Sequence, residues 1–118
     1  MARRTWVFTP HRGGQKIPPA LQEQTRQRIL RHAAKIVPDK ASQVRVRFSG
    51  HFCYIDALEP DSPEPLHLCR LRYLGNVVGW SLAFYTYSNE KYEPCTFGSG
   101  GFCGTPEAAL EIGAIYLR

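Results

Sequence analysis

Two pairs of arginines at alternating positions are the residues of this chain best suited to chemistry. Arg45 and Arg47 stand in Val44-Arg45-Val46-Arg47-Phe48, and Arg70 and Arg72 in His67-Leu68-Cys69-Arg70-Leu71-Arg72-Tyr73. Residues two apart on a strand share a face, so each pair projects two guanidiniums to one side. Guanidiniums bind phosphate oxygens in a fork, and neighbouring rings stack on bases. Residues 79–87 supply such rings in Trp80, Phe84, Tyr85 and Tyr87. A sheet face of this kind can hold a single strand, or enter a major groove with its arginines toward guanine edges. Solvated arginines on an ordinary strand face are the plain alternative.

The N-terminal residues repeat the theme. Arg3, Arg4, Arg12 and Lys16 are interleaved with Trp6, Phe8 and His11, and no acidic residue precedes Glu23. Such an arm can gain order on a phosphate backbone, while Trp6 and Phe8 can equally pin an edge strand. Residues 1–50 hold 11 Lys and Arg against two acids, a net of +9, and residues 51–118 hold four against eight, a net of −4. The overall +5 therefore hides a division that favours a polyanionic partner.

Other constellations say less. His51 with Cys53, and His67 with Cys69, offer a Cys₂His₂ donor set on adjacent strands. Alternation aligns each His with its Cys, but on paired strands the two histidines point to opposite ends, so no metal is expected. Residues 98–105 are glycine-rich before a helix, yet lack the dinucleotide spacing and the P-loop lysine. Asp56, Glu59, Asp61 and Glu64 stand where a nuclease metal site could be built, but the prolines among them favour a solvated acidic loop over 59–65. No catalytic motif is present, and no catalytic residue or cofactor is assigned. A metal-independent ribonuclease built from His51 or His67 with Arg70 and Tyr54 would leave no readable spacing.

The elements that must position these residues follow from periodicity. Pro18 and Pro19 suit a first helical turn, and Leu21, Thr25, Ile29 and Ala33 recur every four residues, widened by Leu30, Ala34 and Val37. Gln24, Gln27, Arg28, Arg31 and Lys35 fall on the other side, and Pro38 stops the helix. Strands are expected over 44–48, 52–57, 67–73 and 79–87, with a weaker one over 92–97. A second helix is capped by Thr105, opens on Pro106 and runs to Leu117. The expected fold is α+β: an antiparallel sheet of four to five strands, with an N-terminal and a C-terminal helix packed on one face. At 118 residues, 43% of them hydrophobic, one domain (1–118, with 1–17 as a basic arm) accounts for the chain. No apolar run approaches a membrane span, and the N-terminus lacks the apolar stretch of a signal peptide. A cytoplasmic protein with reduced cysteines is the expectation.

From Arg70 through Trp80 to Gly104-Thr105-Pro106-Glu107-Ala108-Ala109, residues 66–117 resemble AP2-type DNA-binding domains in layout. Those have three antiparallel strands, a tryptophan in the second, and a Gly-Thr turn into an Ala-rich helix. The resemblance implies DNA contacts from Arg70, Arg72 and Trp80. The last strand departs from that pattern, with Glu90 and Glu93 where basic residues would stand. The stretches 3–10 and 80–87 are also similar to small uncharacterised bacterial proteins, which implies no activity.

The functional expectation is a nucleic-acid-binding accessory or regulatory protein, for DNA or RNA. Its contacts are expected from Arg3, Arg4, Arg12, Lys16, Arg45, Arg47, Arg70, Arg72 and Trp80. The alternatives are a protein-interaction module, acting as inhibitor, complex subunit or homodimer, and a small ribonuclease-like toxin.

Overall fold

The computed structural model describes residues 15–76, 79–86, 88–95 and 103–117. Arg3, Arg4 and Arg12 of the arm, Tyr87 and the glycines of 98–101 lie outside the described residues. Helix α1 (Pro19–Ile36) starts on Pro19, whose missing N–H is not needed in a first turn. Leu21, Thr25, Ile29 and Ala33 are its buried residues, the stripe that four-residue spacing indicates. Leu30 packs partly against the core, whereas Ala34 is exposed. Val37 ends the helix, with its N–H donating to the Ala33 carbonyl at 2.8 Å.

Thr25 sits in that apolar stripe fully buried, and its hydroxyl has no hydrogen-bond partner among the described residues. An orphaned buried hydroxyl costs about 1–3 kcal/mol, and valine has the same shape without it. T25V is therefore expected to raise the unfolding free energy by about 1 kcal/mol, read as a higher urea midpoint at unchanged slope.

A 3-10 turn (Ala41–Gln43) leads into strands β1 (Val44–Ser49), β2 (Phe52–Ala57), β3 (Leu66–Tyr73), β4 (Trp80–Thr86) and β5 (Lys91–Cys95). They pair antiparallel in chain order, so each strand lies beside its predecessor. Gly50 takes φ +60° in the two-residue turn joining β1 to β2, the first-position requirement of a type II′ hairpin. A two-residue strand, β6 (Cys103–Gly104), pairs with the start of β4 through Trp80 and Ser81. Two residues carry no periodicity, and the sequence reading leaves them as approach to the second helix.

Helix α2 (Pro106–Gly113) opens on Thr105, whose hydroxyl accepts from the Ala108 N–H at 3.1 Å. It ends four residues before the expected Leu117 and tightens into a 3-10 turn (Ala114–Leu117). Gly113 accounts for the close seat of this end. A Cβ there would stand 3.1 Å from the Leu68 carbonyl oxygen. Arg28 grips Glu107 through two N–H donors at 2.8 and 2.7 Å, and His32 meets Glu111 at 2.8 Å, clamping α2 to α1.

Ile17, Ile29, Ala33, Val44, Cys53, Ile55, Leu71, Trp80, Leu82, Ala109 and Leu110 form one buried cluster. Both helices thus pack on the same face of the sheet, a two-layer α+β domain as expected. No described helix is long and apolar enough to cross a membrane.

Candidate nucleic-acid interface

Strand alternation decides what the other face carries. With Val44, Cys53, Ile55 and Leu71 turned to the helices, their neighbours turn away. The registers Arg47↔Tyr54, Tyr54↔Arg70 and Arg70↔Ala83 place a cation, a ring and a cation in one row across three strands. A second row runs Ser49↔Phe52, Phe52↔Arg72 and Arg72↔Ser81. A third joins Arg45↔Asp56 and Asp56↔His67, with Tyr85↔Tyr92 beyond them. Neither helix covers these rows.

The rows are stacked through cation–π contacts. The Arg47 guanidinium lies 4.1 Å from the Tyr54 ring centroid, and that of Arg70 lies 4.1 Å from Phe52 and 5.0 Å from Tyr92. Arg72 stands 5.6 Å from the Phe52 ring. Tyr92 gathers the group, with ring centroids at 5.5 Å from Tyr54, 5.2 Å from Tyr85 and 6.0 Å from His67. Burial works against the Arg70 charge and lowers its pKa, opposed by Tyr54, to which it hydrogen-bonds. Arg70 forms no ion pair among the described residues. Burial also drives the Tyr92 phenol up, so its hydroxyl keeps its proton at neutral pH, and that oxygen is buried without a hydrogen-bond partner among the described residues.

Asp56 is the carboxylate at the centre of this face. It is buried, accepting from Arg47 Nε at 3.1 Å on one oxygen and meeting His67 Nδ1 at 2.9 Å on the other. The His67 ring lies 4.6 Å from Tyr85. A depression of about 440 Å³ beside them is lined by Glu64, Pro65, His67, Tyr85 and Glu90.

The residues expected at the interface divide accordingly. Arg45 and Arg47 are exposed and Arg70 is half-buried, all on the helix-free face. Arg45 also donates to the carbonyls of Ser42 and Val44 at 2.6 and 3.1 Å. Arg72 shares the face but is only 3% exposed, so it supports the layer more than it offers a contact. Lys16 is exposed in the segment leading to α1, whose neighbour Ile17 donates to the Gly50 carbonyl. Trp80 is placed otherwise. It is fully buried on the helix side, with its ring 5.0 Å from Tyr73, because it opposes Tyr73 and alternates with Ser81. A contact from Trp80 to a ligand, as the AP2-type layout implies, would require unpacking the core.

The sequence reading does not single out Phe52, Tyr92 or the full role of Tyr85, and it groups Asp56 with the acidic loop instead of with the arginines. Alternation along 52–57 puts Phe52, Tyr54 and Asp56 on the arginine side, a signal that was present. Tyr92 required the register of the β4–β5 hairpin, which the turn at 88–90 alone does not define.

The histidine–cysteine pairs do not form a common site. Cys53 opposes Leu71, and Cys69 opposes Ile55, so the two thiols are not partners across the ladder. A bulge at Ile55/Asp56 also upsets the alternation that would align His67 with Cys69. Leu68 and Cys69 are both buried in the core, while His67 turns to Asp56 on the other face. No cluster of three potential metal ligands occurs among the described residues. Burial pushes the Cys53 thiol up to about 12 and raises Cys69 further, whereas Cys103 is exposed. Maleimide at neutral pH is expected to label Cys103 in the folded protein and to spare Cys53 and Cys69 until denaturant is added. Peptide mass spectrometry reads the difference.

No protein-family model, curated protein or solved structure matches the chain.

Proposed function

We propose that this protein binds single-stranded nucleic acid flat on the helix-free face of its sheet. The carrying observation is the alternation of guanidiniums and rings across β1, β2 and β3, with Arg47, Tyr54, Arg70 and Phe52 stacked on one another. Phosphates pair with the guanidiniums while unstacked bases replace part of the ring–cation stacking. A duplex fits this face less well, because its bases are already stacked and the sheet offers a broad surface instead of a probing edge. The basic first half of the chain adds attraction without sequence preference.

Fluorescence anisotropy with a labelled single-stranded oligonucleotide at ~50 and ~200 mM salt tests the reading, since phosphate contacts lose affinity steeply over that interval. Absence of binding at the lower salt would sink it. A nuclease-resistant stoichiometric complex with another protein, without oligonucleotide binding, would replace it by the interaction-module alternative.

A further inference from the structure

The depression where β3 begins and β4 ends is the part of this face that phosphate contacts leave unexplained. Glu64 and Glu90 line it together with Pro65, His67 and Tyr85. Neither carboxylate takes part in a hydrogen bond or an ion pair among the described residues. Glu93 on β5 differs, accepting from the Thr86 hydroxyl at 2.6 Å and the Asn89 amide at 2.7 Å. Rings join the depression to the arginine rows. Arg70 stands 5.0 Å from the Tyr92 ring centroid, Tyr92 lies 5.2 Å from Tyr85, and Tyr85 lies 4.6 Å from His67.

Charge and hydrogen bonding decide what such a place admits. Two carboxylates repel a phosphate, and the Arg70 guanidinium, one ring removed, disfavours a free cation. A neutral base is what remains, and a volume of about 440 Å³ is in the range of small-ligand sites. Ionised carboxylates only accept, so the base must donate. Guanine presents N1–H and its 2-amino group side by side, two donors in the fork geometry that a carboxylate takes from arginine. Adenine and cytosine set one amino donor beside a ring-nitrogen lone pair. Uracil and thymine set one N–H between two carbonyl oxygens. Each of these turns an acceptor toward an acceptor. We infer that the depression is a base-reading subsite that selects guanine within a single strand, with Glu64 and Glu90 as acceptors for its Watson–Crick edge. Tyr85 and Pro65 are the apolar walls of the subsite. The inference rests on the single-strand binding proposed above and adds a base preference to it.

The test measures anisotropy of the full chain with short labelled RNA strands at ~50 mM salt. Uridine alternates in them with guanosine, inosine, adenosine or cytidine, and an all-uridine strand is the reference. The guanosine strand is expected to bind about tenfold more tightly than the reference, with adenosine and cytidine between them. Inosine keeps N1–H and loses the 2-amino donor, so it should forfeit most of that gain. E64Q/E90Q is expected to bring the guanosine and all-uridine strands within about twofold of each other. It should also strengthen the all-uridine complex, because two negative charges leave a face that meets phosphates. A merely structural role for the glutamates would raise no affinity. Both residues are exposed, a urea midpoint shows that the variant is folded, and the inosine comparison needs no variant. Equal affinity for every strand overturns the base subsite and leaves the binding proposal standing. Binding of no strand overturns both. A guanosine preference shared by inosine, or retained in folded E64Q/E90Q, places the reading elsewhere on the face and overturns the subsite.

Discussion

The double substitution R47Q/R70Q is expected to weaken single-stranded oligonucleotide binding on the order of 50-fold at low salt. Hydrogen bonds to charged groups contribute about 1.5–3 kcal/mol each, and about 2.3 kcal/mol in total already gives that factor. The salt dependence supplies a second readout. Each neutralised phosphate contributes a slope of about −0.7 to the affinity of a single strand, so losing two contacts flattens it by about 1.4. Glutamine keeps the stem and some hydrogen bonding but removes the charge, so the sheet should survive. Arg47 is 53% exposed but its partner Asp56 only 5%, so R47Q leaves that buried carboxylate with His67, and a urea midpoint accompanies the binding measurement to show that the variant is folded. The matched control is R31Q/K35Q, which removes the same charge from the exposed side of α1. If that control loses as much affinity as the sheet variant, binding is a diffuse effect of net charge and the stacked rows are incidental. A loss confined to R47Q/R70Q assigns the contact to the sheet.

How much of this face was legible from sequence depends on which physical signal each part carries. The arginines were legible because strict alternation in 44–48 has one structural meaning: Val44 is buried and Arg45 and Arg47 are exposed. The helix stripe of Leu21, Thr25, Ile29 and Ala33 was legible for the same reason at period four. The contacts that join these residues depend on register and not on periodicity. Asp56 meets His67 only because β2 and β3 pair across a bulge, and a bulge shifts faces without leaving a composition signal. The same irregularity undid the expected alignment of His67 with Cys69. Tyr92 joined the cluster through a hairpin whose register (Tyr85↔Tyr92) is set by the connection from Thr86 to Lys91, in which Glu90 takes φ +52°. Ion pairs such as Arg28–Glu107, between residues 79 apart, belong to packing alone and have no local signature.

Trp80 separates the core from the face, and its substitution has the largest expected effect on stability. W80A is expected to cost about 3–5 kcal/mol, the usual range for truncating a fully buried aromatic residue. A domain of this size has about 5–15 kcal/mol in all, so the variant should unfold at a markedly lower urea concentration or fail to accumulate. W80F distinguishes packing from contact. Phenylalanine fills most of the space against Tyr73, and its cost should be clearly smaller than that of alanine. Because the indole lies on the helix side, W80F should bind a single-stranded oligonucleotide with unchanged affinity. Tyr54→Ala makes the converse test, since Tyr54 is half-buried on the helix-free face beneath Arg47. Losing one stacking ring there should lower affinity by about 1–3 kcal/mol. The opposite pattern, binding lost in a stable W80F protein and retained in Y54A, would mean that the ligand approaches from the helix side. The stacked arginine rows would then be structural, each guanidinium held by a ring because the face needs a cover and not because it receives a strand.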